Sequence, residues 1–164
     1  MPHLIHHRIG IGLILAAALF ATTLASAAPA RPASQPWSDK GSPFGMVTAV
    51  ANRVRSDEID AYVGLLREAG VQWSREEIFW DKVQREPGGP FQWSGDGSGF
   101  YDYEHSVGAQ VAAGIRILGL LDYNPAWFKG QNPPPEAWIK EWGDYVYATV
   151  AHFGRGGAIK HWEI

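Results

Sequence analysis

The run Ile115-Arg116-Ile117-Leu118-Gly119-Leu120-Leu121 restricts the fold more than any other stretch. It is short, almost wholly apolar, and starts directly after Gly114. A strand with one wet face alternates apolar and polar residues, whereas a strand covered on both faces of a parallel sheet reads as a continuous apolar run. Parallel neighbours need crossover connections, which are usually helices. The flanking sequence supplies them. Ser56 precedes Asp57 and Glu58 as a helix start, with carboxylates where the helix dipole favours them. Ile59, Tyr62, Val63, Leu66 and Ala69 then fall at helical spacing, and Gly70 ends the run. Residues 100–113 predict a second helix with a weaker stripe of Tyr103, Val107 and Val111, stopped by Gly114. After Pro133-Pro134-Pro135 a third helix carries Trp138, Trp142, Tyr145, Val146, Thr149, Val150 and Phe153 on one side. Strands are expected at 44–50, 71–76, 115–121 and 158–164. The order βαβαβαβ, with no hairpin signal, predicts a parallel α/β architecture.

A chain of 164 residues suits one domain with a real core. The absence of cysteine excludes a disulfide framework and any thiolate metal site. A net charge of -3 argues against nucleic acid as a partner, because such binding wants a basic stripe. Residues 1–27 read as a signal peptide. Arg8 with His3, His6 and His7 gives a weakly positive start, an apolar run spans 9–24, and Ala25-Ser26-Ala27 forms a small-x-small cleavage site. The alternative is an uncleaved membrane anchor, since the apolar run approaches a spanning length. The export reading predicts a secreted or periplasmic protein without stable membrane association once the signal is removed. Residues 28–43, rich in Pro, Ala and Ser, are expected to form a linker, and 44–164 the folded domain.

Gly70 to Trp93 is where chemistry is expected. A strand bearing Arg75 opens into a loop punctuated by Trp80, Pro87, Gly88, Phe91 and Trp93. In parallel sheets ligands lie beyond the carboxyl ends of the strands. No glycine-rich fingerprint follows the first strand, and Gly95, Gly97 and Gly99 sit in a loop ahead of a helix, which disfavours a dinucleotide site. His161 and Glu163 share a strand face, but two ligands do not make a metal site, and no metal or other cofactor is implied. No nucleophile elbow for a serine hydrolase is present. The candidates that remain stand at strand ends. Arg75 is either a structural ion pair or a ligand contact. Tyr123 and Trp127 either seal the top of the sheet or stack on a sugar ring, whose C–H face packs on aromatics. Trp138 and Trp142 are read as core.

Four segments carry a family resemblance in the same order: Gly-Val-Gln-Trp-Ser-Arg-Glu-Glu-Ile-Phe-Trp, Glu-Pro-Gly-Gly-Pro-Phe-Gln-Trp, Gly-Ile-Arg-Ile-Leu-Gly-Leu-Leu-Asp-Tyr-Asn-Pro-Ala-Trp and Ile-Lys-His-Trp-Glu-Ile. They resemble strands two to four, with their loops, of clan A glycoside hydrolases, most of all families 39 and 5. The resemblance implies a (β/α)8 TIM barrel of which 44–164 form the first four parallel strands and three helices, a truncated α/β domain. It also implies an exported retaining glycosidase acting on an oligosaccharide or polysaccharide. In the family pattern the acid/base glutamate follows strand four in Trp-Asn-Glu-Pro and the nucleophile closes strand seven. Glu163 matches the non-catalytic glutamate of the Trp-Glu-Ile stretch, so both catalytic glutamates are expected beyond Ile164 and the fragment is expected to be inactive. The substrate-binding residues expected are Arg75, Trp80, Tyr123, Trp127 and Glu163. Strand parity adds that Ile159, His161 and Glu163 share one face, with Glu163 near Arg75, and turns Gln72 and Ser74 toward the helices. The competing readings are a non-catalytic carbohydrate-binding protein and an unrelated α/β domain whose aromatics are all core.

Overall fold

Helix stops and helix starts set the frame of the domain. The computed structural model describes residues 45–128 and 136–164, so the expected signal peptide and linker lie outside the described residues. After a short strand β1 (Met46–Val47) come α1 (Val50–Arg53) and α2 (Ile59–Glu68). β2 (Trp73–Phe79) runs into the four-residue α3 (Trp80–Val83), and a glycine-rich loop leads to α4 (Tyr103–Ala112). β3 (Arg116–Asp122), α5 (Ile139–Arg155) and β4 (His161–Glu163) complete the order. The glycine stops act as expected. Gly70 at φ 80 lets its N–H donate to Arg67 O and the Val71 N–H to Leu66 O, the paired bonds that close a helix on a left-handed residue. Gly114 at φ 77 repeats the device at the end of α4.

Among the described residues the four strands are all parallel, in the order β1-β2-β3-β4. The register aligns Arg75 with Leu118 and His161, and Glu77 with Leu120 and Glu163, so these six share one face. The opposite face carries Ile78, Ile117 and Leu121, which pack with Tyr103, Val107, Tyr145 and Phe153 of the helices. We call these the inner face and the helix face. Gly119 belongs to the helix face, where an added Cβ would lie 2.7 Å from the Trp162 ring. Ile159 departs from the expected parity. It is buried with the helix-face core because β4 begins only at His161, leaving residue 159 outside the alternation.

Three local expectations are corrected. β1 is two residues long rather than seven, because the chain turns at Ala49 (φ 44) into α1. Ser56 is not a cap; its hydroxyl donates to Gly99 O. β2 extends three residues beyond the expected end at Glu76, and the loop that follows contains α3.

The polar residues on the helix face of β2 have a physical reason. Glu76 is 1% exposed and accepts from Thr48 Oγ1 at 2.7 Å, the Val50 N–H at 2.9 Å and Ser74 Oγ at 3.0 Å. The Ala51 N–H at 3.5 Å and Ser106 Oγ at 3.4 Å lie on its second oxygen. Thr48 and Ser74 carry two hydroxyl protons between them, so their own close contact alternates with one of these bonds. A buried carboxylate is tolerated only when so satisfied. Here it takes up the free N–H groups at the start of α1 and ties β1 to β2.

Candidate functional site at the carboxyl ends of the strands

Because β1 ends at Val47, no strand among the described residues lies beside the last residues of β2 on that edge. Side chains fill the gap. Asn52 Nδ2 donates to Glu77 O at 2.9 Å, and the Phe79 N–H donates to the Tyr103 hydroxyl at 3.1 Å. That hydroxyl in turn donates to Asn52 Oδ1 at 2.9 Å. On the β3 side of the strand, away from this edge, the buried Tyr145 hydroxyl donates to Ile78 O. The carboxyl end of β2 is thereby held by α1, α4 and α5, and its odd-numbered side chains are aimed across the inner face.

Arg75 is the centre of that face. Its Nε donates to Glu163 Oε2 at 2.8 Å and its NH2 group to Glu163 Oε1 at 3.1 Å, a two-pronged fork. The NH1 group donates to Glu77 Oε1 at 3.2 Å. The fork with Glu163 raises the Arg75 pKa and lowers that of Glu163. Below it lies a groove of about 470 Å³ lined by Met46, Val47, Trp73, Arg75, Leu118 and His161. Its floor is ordered by ring contacts: Trp73 meets the His161 ring edge-on at 5.0 Å, and the Arg116 guanidinium lies 4.3 Å from the Trp73 centroid. Another recess, of about 270 Å³, opens at the amino ends of β3 and β4, away from this rim.

Above Arg75 stands an aromatic wall. Phe79 lies 4.4 Å from Tyr123 and 6.2 Å from Tyr101 between ring centroids. Tyr123 is 56% exposed. Tyr101 and Tyr123 both have left-handed backbones, at φ 61 and φ 56, a conformation that costs a non-glycine residue energy and clusters at functional sites. Lys82 Nζ sits 4.6 Å from the Tyr101 centroid. Asp122 completes the rim at the end of β3. Burial, then the neighbouring Glu77 carboxylate, push its pKa up to about 7.

The structure separates the expected site residues into two groups. Arg75, Glu163 and Tyr123 meet the inner rim. Trp80 does not: it is fully buried on the helix face, stacked at 5.3 Å on Tyr145 and in edge contact with Phe128, and its indole N–H donates to Gln84 Oε1. Trp80 opens α3 directly after the strand, and its ring turns onto the helix-face core. Trp127 is half-buried against Trp80 and Trp138, and among the described residues it shares no ring contact with Tyr123. Neither tryptophan forms part of the wall. Phe79, Tyr101, Asp122 and Asn52 take part without having been expected. Phe79 was hidden by the early strand end, whereas Asp122, a carboxylate ending an apolar run, was a readable signal.

Among the described residues no group of three or more His, Cys, Asp or Glu is arranged to hold a metal. No protein-family model matches the chain, and no curated protein matches it in sequence. Solved structures do match in fold. A family 39 glycoside hydrolase from the gut symbiont Bacteroides cellulosilyticus WH2 superimposes with a TM-score of 0.52 at 19% identity over 65% of this chain. Fpglu1 from Fervidobacterium pennivoraus superimposes with a TM-score of 0.50 at 14% identity over 66%. The chain spans 21% and 28% of those two proteins. At this identity the likeness is one of fold: the four parallel strands and their helices match part of the TIM barrel of those structures.

Proposed function

We propose that this chain supplies the first four strands of the saccharide site of an exported retaining glycoside hydrolase that cleaves O-glycosidic bonds in oligo- or polysaccharides. The observation that carries the reading is the Arg75–Glu163 fork, set beneath the Phe79–Tyr123 wall on the inner face at the carboxyl ends of the strands. A sugar presents C–H faces that pack on rings and hydroxyls that need charged or polar partners, and this rim offers both. Arg75 and Glu163 serve as the polar floor of the site. Their charges offset each other, so Glu163 is held ionised and hydrogen-bonded and is poorly suited to donate a proton to a leaving group. Retaining chemistry needs one carboxyl group to protonate the leaving oxygen and another, about 5–5.5 Å away, to attack the anomeric carbon. In this reading both come from strands beyond the four described. Export rests on Arg8, the apolar run and Ala25-Ser26-Ala27.

The rim is tested by calorimetric titration of the chain with a panel of neutral oligosaccharides. Saturable binding is expected for at least one of them, weakened at least tenfold (about 1.4 kcal/mol) by Tyr123→Ala; no binding to any member overturns the reading. The reaction is tested in a longer chain that carries these residues together with both glutamates, by following the anomeric proton of the product. Retained configuration is expected. Binding without hydrolysis there would select a carbohydrate-binding protein instead.

A further inference from the structure

The Arg75 guanidinium reaches from β2 over β3 to Glu163 on β4, and Asp122 sits at the end of the strand it crosses. Asp122 Oδ1 is buried and has no hydrogen-bond partner among the described residues. The charged and titratable groups around it are Arg75 and Glu77 from β2, Glu163 from β4, Asp81 from α3 and Tyr145 from α5. The inner rim thus sets one guanidinium among three carboxyl groups, two of which already hold it: Glu163 by two bonds and Glu77 by one.

We propose that Asp122 is a proton switch for this guanidinium. While the Asp122 carboxyl is neutral, Arg75 stays forked on Glu163; when Asp122 loses its proton, it becomes the third anion competing for one cation, and Arg75 turns toward it and releases Glu163. The balance is simple. One proton leaves Asp122 for solvent, and one charge-assisted pair is exchanged for another, so no further reactant is needed. Asp122 is the group placed to do this because its unsatisfied oxygen gains a partner in the exchange, whereas Glu77 and Glu163 already have theirs. Burial and the Glu77 charge hold its titration near neutrality, so the switch works within an ordinary pH range. The inference concerns the floor of the saccharide site proposed above. It regulates whether Glu163 is fixed or free to meet a sugar hydroxyl.

The test needs no sugar, so it can fail while the saccharide reading stands. In the full chain the Asp122 carboxyl carbon and the Arg75 Nε–Hε group are followed by NMR from pH 5 to pH 9. The expected result is an Asp122 midpoint close to pH 7, an Arg75 resonance that moves with the same midpoint, and a flat Arg75 resonance in Asp122→Asn. An Asp122 midpoint near the usual value of about 4, or an Arg75 signal that stays flat while Asp122 titrates, overturns the switch. So does a pH-dependent Arg75 signal that persists in Asp122→Asn. If that variant does not fold, the two wild-type titrations decide alone.

Discussion

Neighbouring residues of β2 show how differently its two faces are used. Glu76 and Glu77 are adjacent and chemically alike. Glu76 is enclosed on the helix face with every near donor turned to it, while Glu77 shares Arg75 on the open inner face. The pair Phe79 and Trp80 repeats the contrast: the first stands in the wall beside Tyr123, the second is locked among Tyr145, Phe128 and Trp127. Side-chain type therefore says little here about role. The direction imposed by a period of two decides whether a carboxylate is a structural anchor or a site residue, and whether an aromatic is core or platform.

The contrast predicts a ranked set of effects. Trp80→Ala empties the middle of the aromatic core and should destabilise by about 3–5 kcal/mol, read by denaturant or thermal melting. Glu76→Ala strands the Val50 N–H and the Thr48 and Ser74 hydroxyls and should cost about 3 kcal/mol by the same measurement. A loss under about 1 kcal/mol would mean that water replaces the carboxylate and that the helix-face anchor is dispensable. Tyr103→Phe removes the hydroxyl shared by the Phe79 N–H and Asn52 and should cost about 1–2 kcal/mol. It should also shift the Phe79 ring resonances, a change that simple loss of stability would not produce. On the inner face the effects shrink and become pH-dependent. Asp122 has a folded-state pKa raised above its unfolded value, so its contribution to stability is fully present below about pH 4 and lost as pH rises toward 7. Asp122→Asn should therefore gain on the wild type as pH rises through that window, measured as the difference in Tm. Tyr123→Ala should change stability by no more than about 0.5 kcal/mol, because the ring is largely exposed, while weakening saccharide binding. A large destabilisation would move Tyr123 from platform to core and blur the division between the faces.

Much of this was legible in the residues. The apolar run ending at Leu121 and the two glycine stops specify a parallel α/β order, and strand parity places Arg75 and Glu163 on one face. Two things were not legible. The length of β2 depends on tertiary bonds from Asn52, Tyr103 and Tyr145 that no local pattern announces. A strand that stops at Glu76 hides Phe79 and leaves Trp80 without a face, so proximity to Arg75 alone makes it look like a ligand aromatic. Tyr101 owes its place to a left-handed backbone that tyrosine does not advertise. The polar helix face at Ser74 and Glu76 was visible as an anomaly, but its cause, a two-residue β1 turning abruptly into α1, appears only in three dimensions.

The proposed saccharide site places the sugar on the inner rim and not on the helix face. It is tested most directly by titrating the isotopically labelled chain with an oligosaccharide that it binds and mapping the side-chain resonances that move. Perturbations are expected at Phe79, Tyr101, Tyr123, Arg75 and Asp122, with Trp80 and Glu76 silent. Perturbations centred on Trp80 and Trp127, with Arg75 and Tyr123 unmoved, would contradict it.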